Sequence, residues 1–329
     1  MYLVYYGNMA NPWDNLPAQF LKNLDSIVPE GKIISVLQSF CQIKPPTFRA
    51  NTLKISPEDL AQELTKRGFK FERVPWLDNG FILKGEQREL TASDIYNEGY
   101  LYIQSLSSMI PALVLEPQKD EKILDLTAAP GSKTTQMAAM MENTGEILAN
   151  DASRVRLYKL AANLKIQGIT NTKIAHRNGQ KLWQEYPEKF DKALVDVPCS
   201  LEGRFLASYP KSYIDWTPKK VRILASLQKF LLRSAISATK PGGVIVYSTC
   251  TLEPEENEEV IDWLLKKEGT AIEILDINID IPGKVSGFSK FAKKSFDPSI
   301  EKTVRVLPSE TMEGFFIAKI KKNRSTLAT

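Results

Sequence analysis

The pattern of hydrophobic and polar positions changes near residue 110, and before that point short helical and extended patterns are mixed. Ser56 followed by Pro57 is typical of a helix start, because a serine oxygen can accept a free backbone N–H and proline suits the first helical position. The pattern predicts two helices, Lys32–Cys41 and Ser56–Arg67, and three strands, Thr47–Leu53, Phe69–Val74 and Gly80–Leu83. Residues 31–110 are therefore predicted to form a small α+β domain.

This small domain is similar to an RNA-recognition (RRM-like) or ferredoxin-like module. Its sequence lacks the aromatic motifs of RNA-recognition modules, so a purely structural cap stays open as the alternative. Residues 1–30 have little periodic pattern and are predicted to be an N-terminal extension.

From residue 111 to residue 322 strands alternate with helices. The predicted strands are Lys122–Leu126, Glu146–Asn150, Thr172–His176, Lys192–Asp196, Gly243–Ser248 and Gly314–Lys321. The predicted helices are Thr134–Met141, Ser153–Leu164, Pro218–Thr239 and Pro254–Lys267. This alternation predicts a doubly wound, mostly parallel sheet, which is a Rossmann-like α/β fold, followed by a short tail over 323–329.

Composition excludes several classes of function. No segment reaches the roughly 18 uninterrupted apolar residues of a membrane helix, and the N-terminal residues lack a signal-peptide pattern, so we expect a cytoplasmic protein without a membrane partner. The three cysteines are scattered, and His176 is the single histidine, which disfavours a zinc cluster and a serine-hydrolase triad. We therefore expect no metal site. We also expect a monomer, because no long apolar face requires a partner.

Basic residues concentrate in the second part of the chain. Residues 1–110 hold 11 basic and 12 acidic side chains, whereas residues 111–329 hold 32 basic and 27 acidic ones. The segment Arg204–Arg233 carries seven basic residues, one acid and several aromatic residues, and a second basic stretch spans Lys284–Arg305. Such stretches suit RNA phosphates and unstacked bases, although solvated helix faces explain each stretch equally well.

A turn rich in small residues, Leu126–Thr134, follows the first strand of the alternating region. It is not a phosphate-binding P-loop, because Ser132 separates Gly131 from Lys133, and it lacks the glycine spacing of dinucleotide sites. Asp151, twenty positions after Gly131, ends the next strand, where an acid typically binds ribose hydroxyls. A nucleoside cofactor without pyrophosphate is indicated, with S-adenosylmethionine the natural candidate. A helix-cap role for Asp151 stays open.

Two of the three cysteines follow predicted strands directly. Cys199 comes after Asp196-Val-Pro, and Cys250 comes after Tyr247-Ser-Thr. A single free cysteine is more often a buried core residue, but two at paired strand ends beside Asp196 favour a chemical role. Cys41 has no such context.

Methylation of cytosine at carbon-5 requires a thiolate, a carboxyl group and a methyl donor together. A thiolate that adds to carbon-6 makes carbon-5 nucleophilic, and an acid at ring N3 stabilises the adduct. A base then removes the carbon-5 proton so that the thiolate can leave. Either Cys250 or Cys199 can be the nucleophile by this reasoning, with Asp196 as the acid.

At these positions the sequence resembles the Sun (Fmu, Nop-type) family of RNA cytosine-5 methyltransferases. The resemblance runs through residues 125–134, Asp-Val-Pro-Cys-Ser at 196–200, Tyr-Ser-Thr-Cys-Thr at 247–251, Pro-Glu-Glu-Asn-Glu at 254–258 and Gly-Phe-Phe at 314–316. Upstream, Arg49–Lys54 and Gly99–Ser105 look like the family's N-terminal signatures. The resemblance covers about residues 30–322 and implies a class I S-adenosylmethionine-dependent methyltransferase domain over 111–322.

The resemblance also implies roles for individual residues. Cys250 would be the nucleophile and Cys199 would assist product release, although DNA cytosine methyltransferases use the Pro-Cys cysteine as nucleophile. Asp196 would lie between cofactor and base, with Lys133 reaching the base. The cofactor-binding residues implied by the resemblance are a loop, a ribose-binding acid and three further side chains, namely Thr127, Ala128, Ala129, Pro130, Gly131, Ser132, Lys133, Asp151, Arg156, Asn178 and Asp196.

The chain departs from the family pattern at a few positions. Asn178 stands where an acid usually contacts adenine, and Leu201 stands where glycine usually follows Pro-Cys-Ser. Ser309 and Glu313 replace the common histidine and aspartate before Gly-Phe-Phe.

The sequence thus predicts an RNA cytosine-5 methyltransferase acting on tRNA or rRNA. The RNA strand is expected to contact basic residues of the first basic stretch, namely Arg204, Lys211, Lys219, Lys220 and Arg222. The alternatives are an RNA-binding assembly factor that has lost turnover and a methyltransferase for small molecules or proteins, which would not need the cysteine pair.

Overall fold

The computed structural model describes residues 11–327 of the chain, so the first ten residues of the expected N-terminal extension and the last two of the expected tail lie outside the described residues. The helices are α1 (Ala18–Ile27), α2 (Ile33–Ser39), α3 (Pro57–Lys66), α4 (Gln87–Ala92), α5 (Asp94–Asn97), α6 (Leu106–Leu115), α7 (Ser132–Met140), α8 (Arg154–Gln167), α9 (Pro218–Ala238) and α10 (Glu258–Glu268).

The strands fall into two main sheets and one short ribbon. They are β1 (Thr47–Ala50), β2 (Phe71–Arg73), β3 (Gly80–Leu83), β4 (Leu101–Ile103), β5 (Lys122–Asp125), β6 (Glu146–Asn150), β7 (Thr172–Ala175), β8 (Phe190–Asp196), β9 (Thr239–Thr249), β10 (Ile272–Leu275), β11 (Lys284–Ser286), β12 (Lys290–Phe291), β13 (Lys294–Ser295), β14 (Val304–Val306) and β15 (Phe315–Lys322).

The first sheet has the topology of an RRM-like or ferredoxin-like module. Its four strands are antiparallel in the order β2-β3-β1-β4, with α3 between β1 and β2 and the short helices α4 and α5 between β3 and β4. The predicted start of α3 is confirmed, because the Ser56 side chain accepts the Asp59 backbone N–H at 3.0 Å and Pro57 occupies the first helical position.

The second sheet has a parallel and an antiparallel half. Strands β7, β6, β5, β8 and β9 are parallel neighbours, and β15, β14, β11 and β10 extend the sheet in antiparallel pairs beyond β9. The Rossmann-like prediction is confirmed for the parallel half, whereas β10, β11 and β14 are not part of the predicted alternation. The chain reverses direction across the sheet between β5 and β8, and ligands of such folds bind beyond the carboxyl ends of the strands at that point.

Helix α1 is an element that the sequence analysis missed. Its apolar residues Phe20 and Leu24 are buried, and the Phe20 ring packs edge-on against Phe205 and Trp216 at centroid distances of 4.9 and 6.4 Å. The helix is only ten residues long, so its apolar spacing is too brief to stand out as a period. The expected extension is therefore partly a helix of the core.

We expect Leu24→Ala to lower the free energy of unfolding by about 3 kcal/mol, because Leu24 is fully buried and the substitution leaves a cavity. Urea denaturation measures the change. Lys22→Ala on the exposed side of the same helix is the control and should change stability by less than about 0.5 kcal/mol. Equal effects of the two substitutions would show that α1 does not contribute to the core.

A buried arginine joins the small sheet to helix α7. Arg49 of β1 donates to Gln104 Oε1 at 3.0 Å, to the Ser132 carbonyl at 3.2 Å and to Thr135 Oγ1 at 2.8 Å, so the small sheet is bonded to the first turns of α7. Burial lowers the pKa of Arg49 to about 10, which leaves the side chain charged at neutral pH. Within residues 11–327, no helix is long and apolar enough to cross a membrane.

Candidate active site

A cavity of about 470 Å³ opens at the carboxyl ends of β5, β8 and β9. The sequence predicts that the two cysteine-bearing turns and the small-residue turn meet at this edge, and the geometry confirms that they do. The predicted site residues that line the cavity are Thr127, Ala129, Pro130, Ser132, Lys133, Arg156, Asp196, Cys199, Arg204 and Cys250.

The two cysteines contact each other in the wall of this cavity. Cys199 Sγ lies 3.3 Å from Cys250 Sγ, and the residues that follow them are also joined, because Ser200 Oγ and Thr251 Oγ1 are 2.8 Å apart. Cys199 is buried, whereas Cys250 is half-buried. The hydrogen bond to Cys250, together with burial, raises the pKa of the Cys199 thiol well above its usual range. Cys199 is therefore held as a thiol at neutral pH.

Asp196 and Lys133 form an ion pair at the cavity wall. Lys133 Nζ donates to Asp196 Oδ2 at 2.6 Å and to Ser108 Oγ at 2.7 Å, and Ser248 Oγ donates to Asp196 Oδ1 at 2.8 Å. Lys133 is only 6 % exposed, so its ammonium group has little freedom to move. Ser108 and Ser248, which the sequence analysis did not single out, fix the two partners from opposite sides. Ser248 could have been found, since it lies at a strand end two positions before Cys250.

The small-residue turn between β5 and α7 passes close to α8. Gly131 has a φ of +105°, and a Cβ there would lie 2.7 Å from Leu160 Cδ1, which explains why glycine occupies this position. Thr127 Oγ1 donates to the Asp196 carbonyl at 2.8 Å, so the turn is tied to the end of β8. Ala128 and Ala129 pack against the leucines of α8. The turn thus forms a fixed wall of the cavity.

Asp151 is buried at the end of β6 and has an arginine partner. It accepts the Ala129 N–H at 3.3 Å and the Ser153 N–H at 2.8 Å, and it pairs with Arg156 at 2.9 Å. Arg156 also donates to the Ala129 carbonyl. Asp151 therefore does not cap α8, because Ser153 accepts the Arg156 N–H as the N-cap. Asn178 is exposed and caps the short 3₁₀ helix Gly179–Gln184, so it is not part of the cavity wall.

A cluster of three buried glutamates lies behind the cysteine turns, and the sequence analysis missed it. Glu256 accepts the Ser200 N–H at 3.1 Å and the Gln228 side chain at 2.7 Å, and Glu202 accepts the Trp216 indole N–H at 2.9 Å. Burial raises the pKa of Glu256 to about 7 and the pKa of Glu202 well above its usual range, and the carboxyl groups of Glu253 and Glu256 raise the latter further. The cluster holds Ser200, and with it Cys199, in place.

Stability should depend on pH through Glu256. Its pKa rises from 4.5 in the unfolded chain to about 7, so the folded state binds the proton more tightly and this contribution to stability is fully present below pH 4.5 and lost as pH rises to about 7. The shift corresponds to about 3 kcal/mol. In wild-type protein the free energy of unfolding should fall between about pH 5 and pH 8. About 2 kcal/mol of this fall should be absent in Glu256→Gln when both proteins are measured by urea denaturation.

The matched control for this prediction is Glu301→Gln, since Glu301 is exposed. It should leave the pH dependence of wild-type stability unchanged. Identical pH dependence in wild-type protein and Glu256→Gln would contradict the prediction. Glu202 and Glu253 also titrate in both proteins, and Glu256 raises the pKa of Glu202, so the difference between the two curves reports Glu256 together with its effect on Glu202.

The first sheet contributes to the same cavity. Tyr102 and Ile103 of β4, followed by Gln104 and Ser105, line it opposite the small-residue turn. Gln104 donates to Gln136 Oε1 at 3.1 Å and accepts from Arg49, so the edge of the small sheet is held against α7. The N-terminal signatures quoted from the sequence therefore contain residues that dock the small sheet on helix α7.

Comparison with known proteins agrees with this architecture. A family model described as 16S rRNA methyltransferase RsmB/F matches residues 112–321, and a model of the N-terminal domain of 16S rRNA methyltransferase RsmF matches residues 16–106. This chain belongs to the RsmB/F methyltransferase family. The fold is accordingly that of S-adenosylmethionine-dependent methyltransferases.

The relatives of this RsmB/F family member carry names that refer to different RNAs. The chain is 38% identical over 308 residues to a human 28S rRNA (cytosine(4447)-C(5))-methyltransferase, an alignment that covers 92% of this chain and 37% of the relative. It is 40% identical over 282 residues to a tRNA (cytosine(49)-C(5))-methyltransferase of Pyrococcus abyssi, covering 85% and 88%. The chain thus spans little more than a third of the human relative's length.

Solved structures share the fold over nearly the whole chain. A methyltransferase homologue from Pyrococcus horikoshii is 34% identical with a TM-score of 0.78, covering 93% of this chain and all of that one. The similarity includes both sheets of this RsmB/F family member, since 93% coverage cannot be reached with the larger sheet alone.

The first basic stretch matches the expectation of an exposed RNA-binding surface for most of its basic residues but not for all of its aromatic residues. Lys211, Lys219, Lys220 and Arg222 are exposed, and Arg204 lies at the cavity, where it pairs with Glu313 at 3.2 Å. The aromatic residues of this stretch are not all available to bases. Phe205 and Trp216 are buried against α1, because a large aromatic ring is worth most to stability in the core.

The second basic stretch is largely used within the fold. Arg305 is fully buried and pairs with Glu258 at 2.5 Å, while Lys294 pairs with Glu259 at 2.6 Å. Its positive charge is therefore partly neutralised, and the solvated-face alternative does not describe Arg305. No group of residues able to hold a metal ion occurs between residues 11 and 327.

Proposed function

We propose that this chain transfers a methyl group to carbon-5 of a cytosine in RNA through a covalent bond between Cys250 Sγ and carbon-6 of the base. The observation that carries the proposal is the 3.3 Å contact of the two cysteine sulfurs in a cavity that also holds the Asp196–Lys133 pair. The names of the relatives, which include rRNA and tRNA cytosine-C(5)-methyltransferases, support it.

The residues around Asp151 fit S-adenosylmethionine. Asp151 is a buried carboxylate at a strand end, and the neighbouring turn carries small side chains such as Ala128 and Ala129, so a nucleoside can lie close to the backbone. Thr127 to Lys133, Asp151, Arg156 and Asp196 would hold the cofactor, with Asp151 binding the ribose and Asn178, outside the cavity wall, contacting the adenine. When bound, the cofactor supplies a methyl group on a sulfonium centre.

Cys250 is the better placed nucleophile of the pair. It is half-buried at the cavity, whereas Cys199 is buried and held protonated by Cys250 and by burial. The Cys250 thiolate adds its electron pair to carbon-6, and the ring electrons move to carbon-5, which becomes able to accept the methyl group. Only the thiolate adds, and Cys199 Sγ lies within hydrogen-bond distance of the reacting sulfur, at 3.3 Å.

Asp196 and Lys133 stabilise the charge that this addition places on the base. The pair presents an ammonium group and a carboxylate to one edge of the cavity, and Ser108 and Ser248 hold both in position. Such a fixed pair can donate to ring N3 and accept from the exocyclic amine of cytosine. Because the groups are ordered before the base binds, little reorganisation is needed during the reaction.

Product release requires removal of the carbon-5 proton and departure of the Cys250 sulfur. The electrons of the carbon-5 C–H bond re-form the carbon-5–carbon-6 double bond, and the carbon–sulfur bond breaks toward sulfur. The Cys199 thiol, 3.3 Å away, donates its proton to the departing sulfur, and the resulting Cys199 thiolate accepts the carbon-5 proton, so that both cysteines end as thiols. This gives Cys199 a role in the second half of the reaction.

The proposal is tested by incubating the protein with methyl-labelled cofactor and total cellular RNA. Nucleoside mass spectrometry of the digested RNA should then find the label in 5-methylcytidine. Label in another nucleoside, or in protein alone, would contradict the proposal.

We also propose that the exposed basic residues at the start of α9 contact the RNA backbone, together with Arg204 and Lys211. Replacing Lys219, Lys220 and Arg222 with glutamine should lower RNA affinity and reduce the slope of log K against log salt by about 2, since each phosphate contact contributes about 0.7 on a single strand. Filter binding at several salt concentrations measures the slope. An unchanged slope would place the RNA elsewhere.

We further propose that residues 31–110 and 111–322 are two domains of one monomeric enzyme, with Arg49 fixing their relative position. The cytosine would enter between them, where β4 faces the small-residue turn. Such an entry requires a flipped or single-stranded base.

A further inference from the structure

Helix α8 is apolar on the face that packs on the sheet and also carries apolar residues on its solvent face. Leu157, Leu160 and Leu164 are buried, whereas Val155 and Tyr158 are 71 % and 67 % exposed. Exposed residues at helical spacing form one stripe, called here the α8 stripe, which consists of Val155, Tyr158, Lys159, Ala162, Lys165 and Ile166. Exposed apolar and aromatic residues grouped in this way mark an interaction surface.

The charge of α8 limits what can bind there. The helix carries four basic residues, Arg154, Arg156, Lys159 and Lys165, and no acidic residue. Arg156 pairs with Asp151, whereas Arg154, Lys159 and Lys165 form no ion pair among residues 11–327. Three unneutralised cations beside an exposed tyrosine suit a polyanion with aromatic bases.

The α8 stripe is continuous with the active site. Ile166 belongs to the stripe and also lines a small cavity of about 110 Å³, together with Asn163 and with Tyr102 and Ile103 of β4. Tyr102 and Ile103 in turn line the cavity that contains the two cysteines. A chain that leaves the active site past Tyr102 therefore reaches the stripe without crossing another element of the fold.

We propose that the α8 stripe binds the RNA strand adjacent to the target cytosine, with a base stacked on Tyr158 and phosphates on Lys159 and Lys165. This inference rests on the proposed function, because it assigns a second contact surface for the same substrate. It is separate from the basic residues at the start of α9, which lie on another helix. A protein partner would need an acidic surface to match the helix and is the competing occupant.

The test compares RNA binding by Tyr158→Ala and by the double variant Lys159→Gln/Lys165→Gln with wild-type protein. The probe is a single-stranded RNA centred on a methylated cytosine position found by nucleoside mapping, or a mixed-sequence RNA if none is found. Loss of stacking should weaken binding by Tyr158→Ala about tenfold with an unchanged salt slope. The lysine variant should reduce the salt slope by about 1.4.

The matched control is Lys267→Gln on α10, an exposed lysine at the opposite end of the large sheet. It should leave both affinity and slope unchanged. Because the changed side chains are exposed and outside the cofactor wall, cofactor affinity and melting temperature should also stay at wild-type values.

The outcomes separate this proposal from the proposed function. Weaker RNA binding by the stripe variants with no 5-methylcytidine formed by wild-type protein would support the stripe and refute the activity. Wild-type affinity and slope in the stripe variants of an active enzyme would overturn the stripe, and a protein captured through Tyr158 would then be its occupant. A wild-type protein without affinity for any RNA would overturn both.

Discussion

Replacing Cys250 with alanine is expected to abolish covalent capture of RNA and to lower kcat by about 10⁴-fold or more, because the substitution removes the nucleophile on which every later step depends. Replacing Cys199 with alanine should instead make the adduct accumulate, since the departing Cys250 sulfur loses a proton donor 3.3 Å away. Denaturing gels of protein incubated with RNA and cofactor measure the adduct as a slower band.

The third cysteine provides the matched control for both substitutions. Cys41 is half-buried in the turn that follows α2, and its thiol contacts the Leu37 carbonyl oxygen of that helix. It is distant in sequence from the turns that carry Cys199 and Cys250. Cys41→Ala should show the transient adduct and the turnover of wild-type protein. This control separates loss of a particular thiol from a general effect of removing sulfur.

Two results would contradict the cysteine assignment in different ways. An adduct that accumulates in Cys250→Ala and vanishes in Cys199→Ala would make Cys199 the nucleophile, as in DNA cytosine methyltransferases. The absence of an adduct in all variants, with RNA that the wild-type protein methylates, would refute a covalent mechanism. Retained RNA binding without methyl transfer by wild-type protein would favour an assembly factor.

The candidate site was largely predictable because parallel strands place their carboxyl ends at one edge of the sheet. Asp196, Cys199 and Cys250 each follow a short apolar run, so their convergence follows from fold class alone. The same reasoning located Lys133 and Asp151 without any contact being known. What the strand-end argument cannot provide is the partner of each side chain, such as Ser108 on α6 for Lys133.

Features that depend on contacts distant in sequence were missed for that reason. Glu202 and Glu256 look like ordinary surface acids in the sequence, yet both are fully buried, and only the packing of the turns against α9 explains it. Phe205 and Trp216 look available to bases until α1 covers them. In each case a local pattern is compatible with exposure and burial alike, and tertiary contacts decide between the two.

The second large effect is expected for Asp196→Asn, which should lower kcat by about 10³-fold. An amide cannot form the ion pair with Lys133 that now has an Nζ–Oδ2 distance of 2.6 Å, so the group facing the base loses its charge and its fixed orientation. Lys133→Met should cause a similar loss by removing the other half of the pair. Single-turnover methyl transfer at saturating RNA and cofactor measures the chemical step directly.

Non-additivity is the sharper part of this prediction. If Asp196 and Lys133 act as one unit, the double variant should be about as slow as either single variant, whereas independent contributions would multiply. Asp191→Asn is the matched control, because Asp191 lies at the other end of β8 and pairs with Lys240 at 2.6 Å. Multiplying effects would show that Asp196 and Lys133 act independently, and an equal loss in Asp191→Asn would show that the pair positions β8 rather than the base.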